Sequence, residues 1–453
     1  MQRKGNIMLK VVVIGGVAAG MSAAAKLKRN LKDQVDIVVY EKGHEVSYGA
    51  CGIPYYVGDV IKESSSLVER TAEQFAAAGI DVRLGHEVTA VDLAGKKVIG
   101  RVTEHGEKFS RDYDKLIVAS GARPRMIPPL DVARDNLHVV RNVGDGERLK
   151  KALEQPEVKN VVVVGAGYIG LEIAEACVKQ GKKVLLVEFA ECILPVMDPE
   201  ITDQLALELK KHGVEIRTSS KVIDLACDGN RITSVVIENV AGNVDAPADL
   251  VINCAGIVPN AAFIDVDKAA NGAIIVNERM ETSAPDVYAA GDCSVMKSFL
   301  THEHTYAPLG TNANKQGRII AELLAGKPVP PFKLIGASAL KLFDVDAAKV
   351  GLSEIDAQRL NLDYKAQRIT GNSYAAYYSG EKVMVKLIYD SRTRRILGAQ
   401  TFGQGVVVPR ANYFAIAIST GMTVDEYGFL DLCYSPPFSG VWDVTMIAAH
   451  TAK

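Results

Sequence analysis

The stretch VVVIGGVAAG, residues 11–20, decides the fold of this chain. Four branched apolar residues predict a buried strand, and the glycines after them predict a tight turn. An alanine-rich helix is then expected as far as Arg29, and residues 35–40 supply a second apolar strand. The order strand, glycine turn, helix, strand is typical of a nucleotide-binding βαβ unit.

The same order of elements recurs later in the chain, at residues 161–187. In such a turn the first glycine permits the sharp bend, the second lets the backbone approach a pyrophosphate, and the third lets the helix pack on the strand. The second turn has all three glycines, whereas Val17 takes the middle position in the first. The turn glycines are Gly15, Gly16 and Gly20 in the first unit and Gly165, Gly167 and Gly170 in the second. Two nucleotides are therefore expected.

An acidic residue ends the second strand of each unit, Glu41 in the first and Glu188 in the second. A carboxylate at this position accepts hydrogen bonds from ribose hydroxyls. Phe189 and Ala190 follow Glu188, so a 2'-phosphate would meet a carboxylate with no cation beside it. This pattern favours NADH and leaves NADPH as the alternative.

Length and composition define the class of protein. A chain of 453 residues predicts two or three domains, and a net charge of -2 gives no reason to expect nucleic acid or an anionic membrane as partner. No apolar run approaches the roughly 18 residues of a spanning helix, and the first run is too short for a signal peptide. Seven cysteines without a CxxC pair indicate reduced thiols, so a cytoplasmic protein is expected. A proline-rich break at residues 324–332 predicts that a C-terminal α+β domain follows.

One cysteine, Cys51, stands out in VSYGACGIPYYVGDV, residues 46–60. If a helix begins at residues 52–55, with Pro54 in its first turn, Cys51 lies at the positive end of the helix dipole. A thiolate is stabilised there, and a thiolate is the form that attacks disulfides. The other six are expected to be buried, unreactive thiols: Cys177, Cys192, Cys227, Cys254, Cys293 and Cys433.

Together with VYAAGDCS at residues 287–294, these features resemble the pyridine nucleotide-disulfide oxidoreductases over essentially the whole chain. Most members carry a CxxxxC pair, but Tyr56 stands five residues after Cys51. The chain is therefore similar to the single-cysteine branch of coenzyme A-disulfide reductases, NADH oxidases and NADH peroxidases. Its cysteine segment matches the Ser-x-x-x-Cys-Gly-x-Pro-Tyr pattern of the reductases. Ala18 stands where the peroxidases, and the oxidases closest to them, carry histidine.

The resemblance implies an α/β fold with two Rossmann-like domains, one for FAD and one for NAD, and a C-terminal α+β dimerisation domain. The implied boundaries are 1–120 and 250–327 for FAD, 121–249 for NAD(P)H and 328–453 for dimerisation. Asp292 would bind the ribityl chain, Val88 the adenine through its backbone, and Tyr168 would shield the flavin until nicotinamide displaces it. The implied cofactor residues are Gly15, Gly16, Gly20, Glu41, Lys42, Val88, Ser120, Gly121, Gly291 and Asp292 for FAD, and Gly165, Gly167, Tyr168, Ile169, Gly170 and Glu188 for NADH.

The resemblance also implies coenzyme A as substrate or as a covalent adduct, bound by Ser22, Lys26, Arg29 and Ser47. Lys26 and Arg29 share a helix face at i, i+3 spacing and could hold phosphates together, although such a pair is equally typical of a solvated face. A family lysine that would contact phosphate falls on Trp442, which leaves specificity for coenzyme A open.

Two tyrosines are implied to reach the active site across a homodimer interface. Tyr434 in CYSPPF matches one of them, and Tyr377 or its neighbour Tyr378 matches the other. A phenol there can protonate a leaving thiolate. The alternative is that each tyrosine is an amphipathic wedge at a domain interface.

The function expected from the sequence is a FAD-dependent NAD(P)H oxidoreductase that reduces a small-molecule disulfide or persulfide, foremost coenzyme A disulfide, through a mixed disulfide at Cys51. The alternatives are an NADH oxidase that cycles through a Cys51 sulfenic acid and a flavin-loaded redox sensor or binding protein. His302 and His304 lack further ligands at metal spacing, so no metal site is expected.

Overall fold

The computed structural model describes residues 8–378 and 380–453, and the chain divides into two compact units. The first contains the residues up to Arg125, Val140–Arg148 and Gly256–Leu334. The second contains Met126–Val139, Leu149–Ala255 and Ile335–Lys453. The three-domain boundaries given above are finer than this division and stay a prediction.

The chain alternates between short strands and helices. The strands are β1 (Leu9–Ile14), β2 (Val35–Tyr40), β3 (Asp81–Arg83), β4 (His86–Asp92), β5 (Lys97–Val102), β6 (Lys108–Asp112), β7 (Lys115–Val118), β8 (Ala122–Pro124), β9 (Leu137–Val139), β10 (Asn160–Val164), β11 (Lys183–Val187), β12 (Glu215–Arg217), β13 (Lys221–Asp228), β14 (Arg231–Asn239), β15 (Gly242–Pro247), β16 (Leu250–Asn253), β17 (Ile257–Pro259), β18 (Ile274–Ile275), β19 (Val287–Ala289), β20 (Ser294–Lys297), β21 (His304–Thr305), β22 (Ser338–Leu342), β23 (Val345–Gly351), β24 (Tyr364–Asn372), β25 (Lys382–Asp390) and β26 (Ile396–Gly403). The α-helices are α1 (Ala18–Leu31), α2 (Ile53–Val57), α3 (Ala72–Ala77), α4 (Val143–Leu153), α5 (Tyr168–Lys179), α6 (Pro199–Lys211), α7 (Gly310–Leu324), α8 (Glu354–Arg359), α9 (Val408–Thr420), α10 (Val424–Gly428) and α11 (Val444–His450).

The first unit is built on a parallel sheet in the order β19-β7-β1-β2-β3. Val13 of β1 is level with Val39 of β2 and Ile117 of β7, and all three are fully buried, as expected for a parallel sheet covered on both faces. Helices α1 and α7 pack so closely that a Cβ on Gly317 would lie only 2.2 Å from the carbonyl oxygen of Ala19. The absence of a side chain at Gly317 therefore permits this packing. The unit also contains the antiparallel sheet β4-β5-β6 and two smaller sheets. The predicted strand, turn, helix and strand at the start of the chain are confirmed.

The second unit repeats this plan with a parallel sheet in the order β12-β11-β10-β16-β9. The predicted second nucleotide-binding unit is thus confirmed in its elements. The unit also contains a five-stranded sheet, β22-β23-β26-β25-β24, whose neighbouring strands are all antiparallel. Helices α9 and α11 pack on strands of that sheet, which confirms the predicted α+β character of the C-terminal part.

Within the second unit, the buried Lys386 on β25 joins three carboxylates. Its ammonium lies 3.1 Å from Asp198, 2.9 Å from Glu200 and 2.7 Å from Glu354. Asp198 is fully buried and also accepts hydrogen bonds from Gln400 and from the backbone at the start of α8. The cluster therefore ties the N-terminus of α6 to the C-terminal sheet.

Across the described residues, no helix combines the length and the apolar character that a membrane crossing requires.

Candidate active site

The backbone of the first glycine turn leaves no room for side chains at Gly15 and Gly20. Gly15 has φ of +101°, a left-handed conformation, and a Cβ there would lie 2.2 Å from the carbonyl oxygen of Ala119. A Cβ on Gly20 would lie 1.9 Å from the carbonyl oxygen of Gly15. The turn therefore brings the start of α1 directly against β1, which is the close helix–strand packing of a dinucleotide site.

The second turn reproduces this geometry. Gly165 has φ of +102°, and a Cβ on Gly170 would again lie 1.9 Å from the carbonyl oxygen of Gly165. A Cβ on Gly167 would meet no atom of the described chain within 4 Å, so the backbone at this residue faces open space. A pyrophosphate can approach that backbone only while the side chain is a hydrogen atom.

Both predicted acids occupy the same position relative to their turns. Glu41 accepts a hydrogen bond of 2.7 Å from the backbone of Gly16 and another of 2.7 Å from that of Gly43. Glu188 accepts equivalent bonds from Ala166, at 2.6 Å, and from Ala190, at 2.7 Å. Backbone donors thus fix each carboxylate beside its glycine turn, where it can accept from a ribose.

A cleft of about 430 Å³ opens beside the first turn, within the first unit. It contains five of the predicted FAD residues, and its further lining includes residues that the sequence did not single out. Its lining is Ile14, Gly15, Tyr40, Glu41, Lys42, His86, Glu87, Val88, Thr89, Arg101, Ser120, Arg123, Asn260, Ala262 and Phe263. Arg123 lies in ASGARP, residues 119–124, and a cation so soon after β7 is the signal that could have identified it. The glycine cradle, the ribose acid and this cleft fit FAD.

Gly291 and Asp292 lie in a polar network of the first unit. The backbone of Gly291, at φ of +79°, donates to Gln316 at 2.8 Å. The Asp292 carboxylate pairs with Arg141 at 2.9 Å, and its carbonyl oxygen accepts from Tyr306 at 2.7 Å. Burial raises the pKa of Tyr306 above its ordinary value, so this phenol remains a donor. Arg141 could not be identified from the sequence, because its partner Asp292 is distant along the chain.

Cys51 is exposed, and it lies in a 3-10 turn, Ala50–Gly52, directly before α2. Pro54 is in the first turn of that helix, as predicted. Since α2 has only five residues, its dipole is small. A Cβ on Gly310 would lie 3.8 Å from the sulfur, and Gly310 is the first residue of α7, which has 15 residues. The N-terminus of this longer helix therefore lies beside the sulfur, where its dipole would favour a thiolate more than that of α2, and the sequence reasoning missed this contact.

The remaining cysteines only partly match the expectation of burial. Cys177 and Cys293 are buried, and burial raises the pKa of both thiols, as expected for inert cysteines. For Cys227 and Cys433 the prediction is wrong, because both are exposed, Cys227 near the exposed end of β13 and Cys433 in an irregular segment. Cys192 and Cys254 are half-buried.

The predicted substrate residues are only partly brought together. Ser22, Arg29 and Ser47 line one pocket of about 400 Å³ in the first unit. Lys26 is outside its lining and pairs with Glu322 at 2.7 Å instead. Ala18, at the position where a peroxidase would carry histidine, also lines this pocket.

In the second unit, Tyr168 begins α5 and donates a hydrogen bond of 2.6 Å to the hydroxyl of Ser338. Burial raises the pKa of its phenol. One turn further on, burial and then the charge of Glu175 raise the pKa of Glu172 to about 7. A carboxyl that titrates near neutrality beside a nucleotide turn is a functional candidate that the sequence did not indicate.

The hydroxyls of Tyr377 and Tyr434 lie 3.0 Å apart on two exposed segments of the second unit. Tyr378 instead packs edge-on against Tyr374, with ring centroids 6.4 Å apart. The buried Arg410 links the chain just before Tyr377 to the chain that follows Tyr434. Its guanidinium donates to the carbonyl of Ser373 at 2.6 Å and pairs at 2.8 Å with Asp443, the N-cap of α11.

The C-terminal part, which carries this tyrosine pair, exposes several large apolar side chains. They include Tyr377, Tyr378, Tyr413, Ile416, Phe429, Tyr434, Phe438, Val441, Trp442 and Ile447. Large apolar residues that a monomer leaves to solvent mark an interaction surface.

Comparison with known proteins points to one family. The model described as pyridine nucleotide-disulphide oxidoreductase matches residues 9–317, and the one described as its dimerisation domain matches residues 337–445. The chain is 36% identical to an NAD(P)H coenzyme A polysulfide/persulfide reductase of Pyrococcus horikoshii, with 99% of both chains covered. It is 32% identical to an NADH oxidase of Enterococcus faecalis, covering 98% of this chain and 99% of that one. It is 30% identical to a coenzyme A disulfide reductase of Staphylococcus aureus, covering 98% of this chain and all of that one.

Solved structures agree with these matches. The reduced CoADR-RHD of Bacillus anthracis superposes with a TM-score of 0.93 at 33% identity, covering 98% of this chain and 80% of that one. An NAD-dependent persulfide reductase from A. fulgidus gives 0.92 at 34% identity, covering 98% of this chain and 82% of that one.

Proposed function

The chain belongs to the pyridine nucleotide-disulphide oxidoreductases, and we propose that it uses NADH and FAD to reduce coenzyme A disulfide or persulfide at Cys51. The observation that carries this proposal is the exposed Cys51 sulfur opposite Gly310, at the N-terminus of α7. The fifth residue after it is Tyr56, so this segment supplies no second thiol. A lone thiolate must form its disulfide with the substrate itself.

The two glycine turns divide the cofactors between them. In the first unit, Gly15, Glu41 and the cleft around Val88 would hold FAD. In the second, Gly167, Gly170 and Glu188 would hold NADH. FAD, when bound, accepts hydride equivalents from a nicotinamide and passes them on as an electron pair to a sulfur.

The thiol chemistry belongs to Cys51. Its thiolate attacks one sulfur of the substrate disulfide, forming a mixed disulfide, and the other sulfur leaves as a thiolate. That leaving group takes a proton from a phenol, for which we assign Tyr434. Two electrons then reduce the mixed disulfide, releasing the second thiol and restoring the Cys51 thiolate. With a persulfide, attack on the inner sulfur forms the same mixed disulfide and releases hydrosulfide, and the two electrons then reduce that disulfide.

We also infer that the active form is a homodimer in which each subunit lends its tyrosine pair to the Cys51 of the other. The exposed apolar surface around Tyr377 and Tyr434 supports this inference, since aromatic side chains are enriched at protein interfaces. Phe429, Phe438 and Trp442 would lose most of their exposure in such an interface.

An NADH oxidase is the rival function, because relatives of that name also match over the full chain. Ala18 favours the reductase, since its methyl group gives a peroxide or hydroxide at sulfur no polar partner. Oxygen consumption that matches NADH consumption without added disulfide would favour the oxidase instead.

The proposal is tested with Cys51→Ser in the FAD-loaded enzyme. NADH-dependent reduction of coenzyme A disulfide should fall to background, while NADH still bleaches the flavin absorbance. Cys227→Ser, which removes another exposed thiol, should retain the parent rate. Intact mass should reveal a coenzyme A adduct on the parent protein that reductant removes. Full disulfide reductase activity in Cys51→Ser would overturn the proposal.

A further inference from the structure

Three potential metal ligands from two separate segments meet in the second unit. Within residues 8–378 and 380–453, Glu208, His212 and Asp344 are the one group of three imidazole, thiol or carboxylate side chains whose ligand atoms all lie within 4.8 Å of one another. Each can offer one nitrogen or oxygen to a cation. None of the three belongs to the glycine turns, the cysteine segment or the tyrosine pair, so the proposed reaction does not account for their proximity.

Helix α6 supplies two of the three ligands. Glu208 lies in its last turn and His212 is its C-cap, four residues further on, so both side chains share one face. The Nε2 atom of His212 lies 3.1 Å from Oε1 of Glu208. The side chain of Glu208 is 10% exposed and that of His212 is 30% exposed. Their donor atoms are therefore partly shielded from water, and a cation is attracted more strongly there than at a fully exposed surface.

The third ligand comes from the turn between β22 and β23, which Phe343 and Asp344 form. Phe343 has φ of +50°, a conformation that costs free energy for an aromatic residue. Two contacts hold it there. Its backbone donates to Glu175 of α5 at 3.0 Å, and its ring stacks on that of His212 with centroids 3.8 Å apart. Asp344 is thus positioned beside the helix by the packing of its neighbour.

A side-chain cation already lies between the two carboxylates. The ammonium of Lys211 is 3.3 Å from Glu208 and 3.8 Å from Asp344, and the lysine side chain is 59% exposed. Exposed ion pairs of this kind are weak, so the lysine can be displaced. On the facing helix α5, Glu175 is paired with Lys179 at 2.6 Å and adds no net charge. Two carboxylates against one ammonium therefore leave a negative site that favours a further cation.

We propose that Glu208, His212 and Asp344 form a binding site for a divalent transition metal, with Zn²⁺ as the best match. One imidazole and two carboxylates are donors that Zn²⁺ accepts, whereas Mg²⁺ and Ca²⁺ favour oxygen donors alone. Water completes the coordination. The metal replaces the Lys211 ammonium and joins the C-terminal end of α6 to the β22–β23 turn. This site goes beyond the proposed function and does not depend on it.

Binding of Zn²⁺ is tested by isothermal titration calorimetry on the FAD-loaded protein. In the parent, Cys51, Cys227 and Cys433 are replaced by serine, because their exposed thiols are zinc ligands themselves. His212→Gln and Asp344→Asn should each weaken binding at least about tenfold, since even groups that only orient a metal ligand contribute roughly 10–100-fold. Mg²⁺ should bind the parent far more weakly than Zn²⁺.

Lys211→Met separates this site from ordinary surface binding, because it should strengthen the interaction. Removing the competing ammonium should tighten Zn²⁺ binding on the order of fivefold. His105→Gln is the matched control. His105 lies 3.3 Å from Glu107, but within the described part of the chain no third ligand joins this pair. The control should leave the affinity unchanged.

Thermal stability provides a second readout. Saturating Zn²⁺ should raise the thermal midpoint of the parent by a few degrees and should not raise that of Asp344→Asn. Midpoints without metal and retained flavin absorbance show that each variant is folded. The inference is overturned if the parent does not bind Zn²⁺, if neither His212→Gln nor Asp344→Asn weakens binding, or if Lys211→Met weakens it.

Discussion

The hydroxyl oxygens of Tyr377 and Tyr434 lie 3.0 Å apart, although 56 residues separate the two tyrosines in the chain. The hydrogen bond to Tyr377 is the main reason why the pKa of Tyr434 is raised above its ordinary value. Tyr434 is therefore protonated at neutral pH and can donate a proton. Tyr377 is the neighbour whose hydrogen bond orients this phenol.

Tyr434→Phe should lower kcat for disulfide reduction on the order of 100-fold, because it removes the phenol that we propose as the acid for the leaving thiolate. Reduction of the flavin by NADH should keep its parent rate in a stopped-flow measurement. Tyr377→Phe should have a smaller effect of the same kind. Tyr378→Phe is the matched control, since Tyr378 packs on Tyr374 rather than on this pair. An effect of Tyr378→Phe as large as that of Tyr434→Phe would contradict the assignment.

The expected preference for NADH over NADPH should be reversible at two neighbouring residues. Glu188 accepts from the backbone of Ala166 and Ala190, and Phe189 beside it is 78% exposed. Glu188→Ser/Phe189→Arg frees those donors and adds a guanidinium for a 2'-phosphate. The kcat/KM for NADPH should rise at least about tenfold, and that for NADH should fall. An unchanged selectivity between NADH and NADPH would show that other residues decide between the two cofactors.

The sequence predicted the features that are local in the chain. The glycine turns, the acids after β2 and β11, and Pro54 at the start of α2 each depend on residues within about 25 positions, so their spacing reveals them. The approach of Gly310 to Cys51 could not be predicted, because it results from the packing of α7 in the first unit.

The ion pairs and the exposure of individual side chains also could not be predicted from the sequence. Lys26 and Arg29 look equivalent on a helical projection, yet within the described part of the chain only Lys26 meets an acid, Glu322 from α7. The exposure of Cys227 was missed for a related reason, since a cysteine on a strand is buried or exposed according to what covers that strand. The residue pattern of a helix or strand shows which residues share a face, but it does not show which other elements pack against that face.

Lys386→Met should destabilise the second unit strongly. The buried ammonium pairs with Asp198, Glu200 and Glu354, and removing it leaves uncompensated carboxylates, a change that costs about 3–5 kcal/mol. Burial alone raises the pKa of Glu200, but its hydrogen bond from Lys386 lowers it, and the net shift is downward. The thermal midpoint should therefore drop clearly at pH 7.5 and recover in part at lower pH. Lys382→Met, on the same strand but exposed, should change the midpoint little.

Glu172 should make stability depend on pH near neutrality. Its pKa in the folded chain is about 7, above the unfolded value, so the native state binds the extra proton between about pH 4.5 and 7. Stability is then lost as the pH rises through that window. Glu172→Gln should raise the free energy of unfolding at pH 8, on the order of 2 kcal/mol, and change it little at pH 5. Equal effects at both pH values, measured by denaturant unfolding, would contradict this.

The second glycine turn allows cofactor approach to be separated from folding. A Cβ on Gly167 meets no atom of the described chain within 4 Å, so Gly167→Ala should leave the thermal midpoint and the FAD content unchanged. It should still raise the KM for NADH by about tenfold, because the new methyl group would stand where we propose that the pyrophosphate approaches the backbone. Gly170→Ala places its Cβ 1.9 Å from the carbonyl oxygen of Gly165, so it should lower the midpoint as well. An unaltered KM for NADH in Gly167→Ala would mean that the nicotinamide cofactor does not bind across this turn.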